Sequence, residues 1–248
     1  MSHKPLFEVC LQTVSGALAA QKAGADRIEL CAALTIGGVT PSMGTIERCT
    51  EILKIPIMVM IRPRGGDFLY DQHELASMKR DIAICKELGV AGVVFGLLKS
   101  DGSIDQEQTK TLVDIAKPLQ ITFHRAFDVC KDPFLAIEQL IDLGIDRVLT
   151  SGQAPTAPEG KETIKKLMTQ AGDRITILPG CGLQAENIAQ FISYTNAREY
   201  HATAFKKEIS PMQYRNDAVY MGIPGLAEYE RQICSQPEVE AFIRAVSH

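Results

Sequence analysis

Two short apolar runs near the start of the chain each carry a glutamate and a cysteine two positions apart. The run "LFEVC" contains Glu8 and Cys10, and the run "RIELC" contains Glu29 and Cys31. Side chains two residues apart project from the same face of a β-strand. If the runs are neighbouring strands, the two thiols lie within reach of one soft monovalent ion such as Cu(I). A polar reaction chamber, or two small buried cysteines without chemistry, are the alternatives.

Polar residues also stand near the ends of later strand-like runs. Together with the two glutamates they make a candidate catalytic set: Glu8, Glu29, Arg62, His124 and His201. Buried charges persist in proteins only when they are paired, so we expect Glu29 beside Arg62 and Glu8 beside His201. A histidine and a carboxylate can then move a proton on a bound substrate. The alternative is an internal ion-pair network that only organises the fold.

The stretch "RPRGGDF" at 62–68 combines two arginines, a stiffening proline and two glycines. Guanidinium groups suit carboxylate or phosphate, and glycines let the backbone approach a ligand closely. Glycines and a serine after later strands offer similar backbone groups at helix starts. The predicted anion-binding set is Arg64, Gly65, Gly66, Asp67, Ser151, Gly180 and Gly182. Pairing of these arginines with Asp67 or a nearby glutamate is the competing interpretation.

These residues need a scaffold, and the chain repeats one unit from end to end: a short apolar run, a Gly- or Pro-containing loop, and an amphipathic helical stretch. Strands are predicted at 6–10, 26–31, 56–62, 91–96, 119–124, 146–151, 174–178 and 198–203. Eight such units in 248 residues predict an α/β protein with a single-domain (β/α)₈ TIM-like barrel over 1–248. An open doubly wound sheet is disfavoured, because no G-x-G-x-x-G follows the first strand. A long irregular segment is expected at 204–235, before a C-terminal helix.

Composition limits the classes of function. The net charge is −4, without a basic tail, so we expect no nucleic-acid partner and no membrane partner. Seven scattered cysteines without a C-x-x-C pair favour a reducing compartment. The N-terminus lacks the apolar segment of a secretory signal, so a cytoplasmic location is expected.

Five stretches in order along the chain carry a family resemblance: "ELCAALTIGGVTPS", "IRPRGGDF", "TFHRAFD", "RVLTSGQ" and "SPMQYRN". The chain resembles the CutC copper homeostasis family through these motifs. The resemblance implies a cytoplasmic TIM-like barrel that self-associates as a homodimer or higher homo-oligomer. It also implies a link to copper, with Cu(I) bound at Cys10 and Cys31. No enzymatic reaction comes with the resemblance.

Two functional hypotheses follow. The first is a copper homeostasis protein with Cu(I) bound at Cys10 and Cys31 as its only cofactor. The second is a lyase- or isomerase-type enzyme that acts on a small anionic, perhaps phosphorylated, substrate at the barrel mouth, where Arg62 and Arg64 bind the anion.

Overall fold

The computed structural model describes residues 5–219, 221, 225 and 227–246. Within them, eight parallel strands form a barrel, as the repeated units predict. They are β1 (Leu6–Leu11), β2 (Arg27–Leu30), β3 (Ile57–Met60), β4 (Gly92–Phe95), β5 (Gln120–Phe123), β6 (Arg147–Thr150), β7 (Thr176–Pro179) and β8 (Glu199–Ala202).

The helices of the described part surround this barrel. They are α1 (Val14–Ala23), α2 (Met43–Ile52), α3 (Gln72–Glu87), α4 (Gln106–Ala116), α5 (Pro133–Asp142), α6 (Lys161–Ala171), α7 (Ile188–Thr195) and α8 (Gln236–Val246). Side chains cap several N-termini; Asp71 accepts from two backbone N–H groups of α3 and forms a capping box with Glu74. None of the helices in the described ranges is long and apolar enough to cross a membrane.

The strands follow one another around the barrel in the order β7-β6-β5-β4-β3-β2-β1-β8. Between β7 and β8 the barrel is closed by a parallel bridge from Gly180 to His201, just beyond the end of β7. A Cβ on Gly180 would lie 3.1 Å from the His201 ring, so glycine permits this close approach. The carboxyl ends of all eight strands therefore meet around one opening, which we call the mouth.

Most of the buried interior is apolar, and the apolar layer between strands and helices is continuous. Phe7 of β1 stacks on Tyr200 of β8, and Phe242 of α8 packs against both rings. The inside of the barrel departs from this pattern. Glu8, Arg27, Glu29 and Arg147 are all nearly inaccessible to solvent there.

The segment 204–235 is not irregular throughout, in contrast to the prediction. Strand β9 (Phe205–Ile209) pairs with β10 (Glu230–Cys234) in an antiparallel ribbon, with Phe205 opposite Cys234. The two short polar strands show too little alternation of apolar and polar residues for the sequence to predict this ribbon. Part of the connection between the two strands lies outside the described residues. The single-domain organisation over 1–248 stays a prediction.

Candidate functional site

Glu8 and His201 form an ion pair inside the barrel, as their positions on neighbouring strands predict. Glu8 of β1 lies opposite both His201 of β8 and Arg27 of β2. Its Oε1 is 2.8 Å from His201 Nδ1, and its Oε2 accepts a short hydrogen bond from Arg27 Nε. Both carboxylate oxygens are thereby occupied, so the orientation of the His201 ring is fixed, with Nε2 on the side of Glu29.

Cys10 and Cys31 lie side by side above this pair, with their Sγ atoms 4.0 Å apart. Cys31 Sγ donates to Glu29 Oε2 at 3.4 Å, and the same oxygen is 3.8 Å from His201 Nε2. Cys10, Glu29 and Cys31 bring their ligand atoms within 4.8 Å of one another. Met58, Met60 and Val94 pack against the two cysteines and make a small apolar cluster.

Protons are shared unevenly in this cluster. The hydrogen bond with Cys31 stabilises the Cys10 thiolate and, with His201, lowers the pKa of Cys10 to about 5 against the effect of burial. The same hydrogen bond and burial raise the pKa of Cys31 well above its usual range. Burial and the Cys10 thiolate raise the pKa of Glu29 strongly. The Cys10 thiolate is therefore favoured in this cluster, and the Cys31 thiol and the Glu29 carboxyl hold their protons more tightly than usual.

The opposite tendencies govern Glu8 and His201. Burial disfavours the Glu8 carboxylate, but Arg27 and His201 outweigh it and lower the pKa of Glu8 to about 2. Burial also disfavours the His201 cation, yet Glu29, Cys10 and Glu8 raise the pKa of His201 well above its usual value. Both shifts favour the ionised pair.

Arg62 and His124 lie at the mouth, just beyond the carboxyl ends of β3 and β5. The expected Glu29–Arg62 pair is wrong, because Glu29 lies opposite Met58 and Arg62 follows the end of β3. Arg62 instead donates through Nη1 to the carbonyls of Ile36 and Gly38, and through Nη2 to that of Gly66. The aromatic ring of Phe68 lies against both Arg62 and His124.

A cavity of about 320 Å³ connects the two parts of the site. Cys10, Glu29, Arg62, His124 and His201 all contribute to its wall, whereas Glu8 lies beneath them. Three buried polar atoms of this wall have no hydrogen-bond partner among the described residues: Glu29 Oε1, Arg62 Nε and His124 Nε2. A larger depression of about 430 Å³ opens near Thr176 and Arg198, at the opposite end of the barrel. Function in such barrels belongs to the carboxyl ends of the strands, which favours the mouth cavity.

Arg64 is bonded to groups of its own loop, to Leu69 and to Glu74 of α3. That guanidinium pairs with Glu74 and Asp67, and donates to the backbone carbonyls of Gly65, Asp67 and Leu69. Gly66 has a positive φ of 87°, and its carbonyl accepts from Arg62. These contacts agree with the competing interpretation, in which Arg64 pairs with Asp67 and a nearby glutamate and so organises the loop.

The remaining residues of the predicted anion set are also internally bonded or distant. Ser151 is buried, and its hydroxyl lies between Asp128, Arg125 and the carbonyl of Ala154. Gly180 closes the barrel, and Gly182 has a positive φ of 72° beside Thr156. The seven residues do not converge on one open space.

Sequence reasoning missed three charged residues inside the barrel. Arg27 and Arg147 both donate to Glu199, so these three groups form a neutralising layer at the amino ends of the strands. The two-residue period of a strand could have predicted that two of them point into the barrel, because Arg27 shares a face with Glu29, and Glu199 shares one with His201.

Comparison with known proteins places the chain in a family. The family model described as "CutC family" matches residues 5–206. A relative named as a CutC family protein from Parabacteroides distasonis is 47% identical over 242 residues, which cover 97% of this chain and 100% of the relative. The human copper homeostasis protein cutC homolog is 45% identical over 238 residues, 96% of this chain and 87% of that protein. A crystal structure of CutC from Streptococcus agalactiae superimposes with a TM-score of 0.77 at 37% identity, covering 80% of this chain and 98% of that one.

Proposed function

The chain belongs to the CutC family of copper homeostasis proteins, and on that premise we propose that it binds Cu(I) through Cys10 and Cys31. The separation of 4.0 Å between the two Sγ atoms is the observation that carries this proposal. Metal–thiolate bonds are about 2.3 Å long for Zn²⁺, so a single ion between these sulfurs can contact both without movement of the backbone.

The chemistry of the donors fits Cu(I). Thiolates are soft ligands that select this ion, and the low pKa of Cys10 supplies one thiolate at neutral pH. The second thiolate forms when the ion displaces the proton of Cys31, so binding releases a proton. Met58 and Met60 keep the surroundings of the sulfurs apolar and polarisable.

The location of the thiols decides which role in homeostasis they suit. Cys31 is 1% exposed, and Cys10 is 4% exposed and contributes to the wall of the mouth cavity. A carrier that transfers copper to a partner protein needs an exposed thiol, so this site suits retention of the ion.

The test is an anaerobic titration with Cu(I) against a competing chelator. We compare the parent with the double variant Cys10→Ser, Cys31→Ser and with Cys49→Ser, which removes a buried thiol of α2 outside the site. The proposal expects the double variant to lose at least a hundredfold in affinity and Cys49→Ser to equal the parent. Equal affinities in all three proteins would remove Cu(I) from these residues.

A second candidate function is catalysis in the mouth cavity, on a small anionic substrate. The three unpartnered polar atoms of the wall support it, since native proteins rarely leave such groups unsatisfied. Glu8 orients the His201 imidazolium, which adjoins the cavity and can donate a proton to the carbonyl oxygen of a substrate, and Glu29 in the same wall is the candidate base. The residues of this function are Glu29, Arg62, His124 and His201, with Glu8 as positioning residue.

Hydrogen exchange tests this second function. Nuclear magnetic resonance in D₂O follows the C–H protons next to the carbonyl of pyruvate and of dihydroxyacetone phosphate. The parent should accelerate the exchange of one of them, and His201→Asn, which keeps a donor toward Glu8, should abolish the effect. Exchange at the rate of the buffer in the presence of the parent would count against catalysis of this class.

We propose further that the chain works in the cytoplasm and forms homo-oligomers. All seven cysteines are free, which supports a reducing compartment. Exposed apolar side chains on and near the β9–β10 ribbon support self-association: Ile209, Met212, Tyr214, Val219 and Met221. Sedimentation velocity tests the oligomeric state, and a monomer at micromolar concentration would contradict it.

A further inference from the structure

We propose that Arg62 and His124 bind the carboxylate of a small monocarboxylic acid in the mouth cavity. This inference rests on the second candidate function, whose substrate class it names. It is independent of Cu(I) binding, because neither residue contributes a ligand atom to the thiol cluster.

Arg62 is a buried cation without a counter-ion among the described residues. Arg62 is 5% exposed, and the three hydrogen bonds of its guanidinium all go to neutral backbone carbonyls. The Nε–H donor is left unpartnered. An unneutralised charge in such a place costs free energy, and an anion at Nε would remove that cost.

His124 supplies a second donor of known direction. Its Nδ1 accepts a hydrogen bond from the backbone N–H of Ala126 at 3.2 Å, so the proton of the neutral ring is on Nε2. The edge with Nδ1 and Cε1 faces Gly96, where a Cβ would come within 2.6 Å of Nδ1. His124 contributes to the wall of the cavity, and its buried Nε2–H has no partner among the described residues. Burial and the neighbouring Arg62 lower the pKa of His124 to about 3, which keeps the ring neutral.

The ring of Phe68 contacts both donor residues. The centre of its ring is 5.0 Å from the Arg62 guanidinium carbon and 4.9 Å from the centre of the His124 ring. The backbone at Phe68 is itself held, because its carbonyl accepts from the N–H of Leu98 at 2.9 Å. One guanidinium N–H and one imidazole N–H thus flank the same aromatic ring.

The number of donors and charges selects a carboxylate over a phosphate. A carboxylate offers one oxygen to each N–H and balances the single charge of Arg62. A phosphate group carries a charge of about −1.5 to −2 and three acceptor oxygens, which exceeds what this wall provides. Arg64 is occupied by Glu74 and Asp67, and Arg125 by Asp128 and Ser151. The volume of about 320 Å³ leaves room for only a small molecule behind the carboxylate.

The test is isothermal titration calorimetry with pyruvate, with pyruvamide as its uncharged analogue, and with inorganic phosphate. We expect saturable binding of pyruvate, with pyruvamide and phosphate at least tenfold weaker. The key variant is His124→Asn, whose side-chain oxygen can still accept from Ala126 N–H but which lacks the Nε2–H donor. Loss of one hydrogen bond to a charged group should raise the Kd for pyruvate about ten- to hundredfold.

Two further variants locate the site. Arg62→Gln should abolish pyruvate binding, and Arg48→Gln on the surface of α2 should leave it within twofold of the parent. Because Arg62 also holds backbone carbonyls in place, circular dichroism checks that the Arg62→Gln variant is folded. If that variant unfolds, His124→Asn still decides the test. No saturable binding of pyruvate, equal binding of phosphate, or a larger loss in Arg64→Gln than in His124→Asn would each overturn the proposal. Binding without hydrogen exchange would leave this site standing and remove only the catalytic function.

Discussion

Replacement of Arg27 by methionine tests how the barrel tolerates its internal charges. Arg27 is 3% exposed and bonds to the carboxylates of Glu8 and Glu199. The substitution keeps a long apolar stem but leaves Glu8 with His201 as its remaining close partner. Removal of one member of a buried ion pair costs about 3–5 kcal/mol, because the other charge stays buried.

The pKa of Glu8 gives a second measure of the same interaction. The difference between its usual value of 4.5 and its folded value of about 2 corresponds to about 3 kcal/mol in favour of the ionised form. The charge of Arg27 is the largest single favourable contribution to that difference, and His201 contributes both a hydrogen bond and its charge. Both routes therefore predict that Arg27→Met lowers the free energy of unfolding by about 3 kcal/mol or more at neutral pH.

Urea unfolding followed by circular dichroism measures this loss, since the chain has no tryptophan for fluorescence. The control is Arg48→Met, which breaks an exposed pair with Glu51 and should change stability by less than about 1 kcal/mol. The double variant Glu8→Gln, Arg27→Met should lose less than the sum of the single variants, because it leaves no unpaired carboxylate. A loss in Arg27→Met equal to that in Arg48→Met would refute the reasoning.

Three more predictions concern the inside and the mouth of the barrel. Glu8 has a lowered folded pKa, so its contribution to the free energy of unfolding is complete above its unfolded pKa of 4.5 and disappears as the pH falls toward about 2. Urea unfolding at a series of acidic pH values should show this loss in the parent and much less of it in Glu8→Gln. Gly96→Ala should lower the free energy of unfolding by about 1–3 kcal/mol and weaken pyruvate binding, because the new Cβ meets the His124 ring. Its control is Gly44→Ala, in open space on α2, which should be neutral or stabilising by up to about 1 kcal/mol in the same urea assay. Asp128→Asn should destabilise by about 1–3 kcal/mol in thermal unfolding, since Asp128 accepts from the backbone N–H groups of Ser151 and Gln153, and a fully stable variant would contradict that role.

The architecture could be predicted from the sequence because the eight repeated units each carry strong local signals. Glycines at the C-termini of helices, such as Gly24 with φ 92°, mark where each helix stops before the next strand. Pairing of Glu8 with His201 was also predictable, since β1 and β8 are neighbours in any closed eight-stranded barrel. The β9–β10 ribbon was not, because its short polar strands have no buried face that would produce an alternating pattern.

The partners of the arginines were harder to predict, for a geometric reason. Arg62 shares the parity of Met58 and Met60, but it stands two residues beyond the end of β3. There the side chain turns toward the carbonyls of the loop after β2, and the two-residue period no longer determines its direction. Arg64 is bonded to Glu74, ten residues away at the start of α3, and no local pattern indicates that contact.

The two ends of the barrel interior differ in how their charges are balanced, and this difference separates stability from function. At the amino ends of the strands Arg27 and Arg147 face Glu8 and Glu199, so each charge has a partner and the layer needs no ligand. At the mouth Arg62 has only neutral partners among the described residues, and His124 Nε2 and Glu29 Oε1 have none there. A protein that needed only a stable core would bury apolar residues at those positions. The unbalanced charge is therefore best explained by a ligand that completes it.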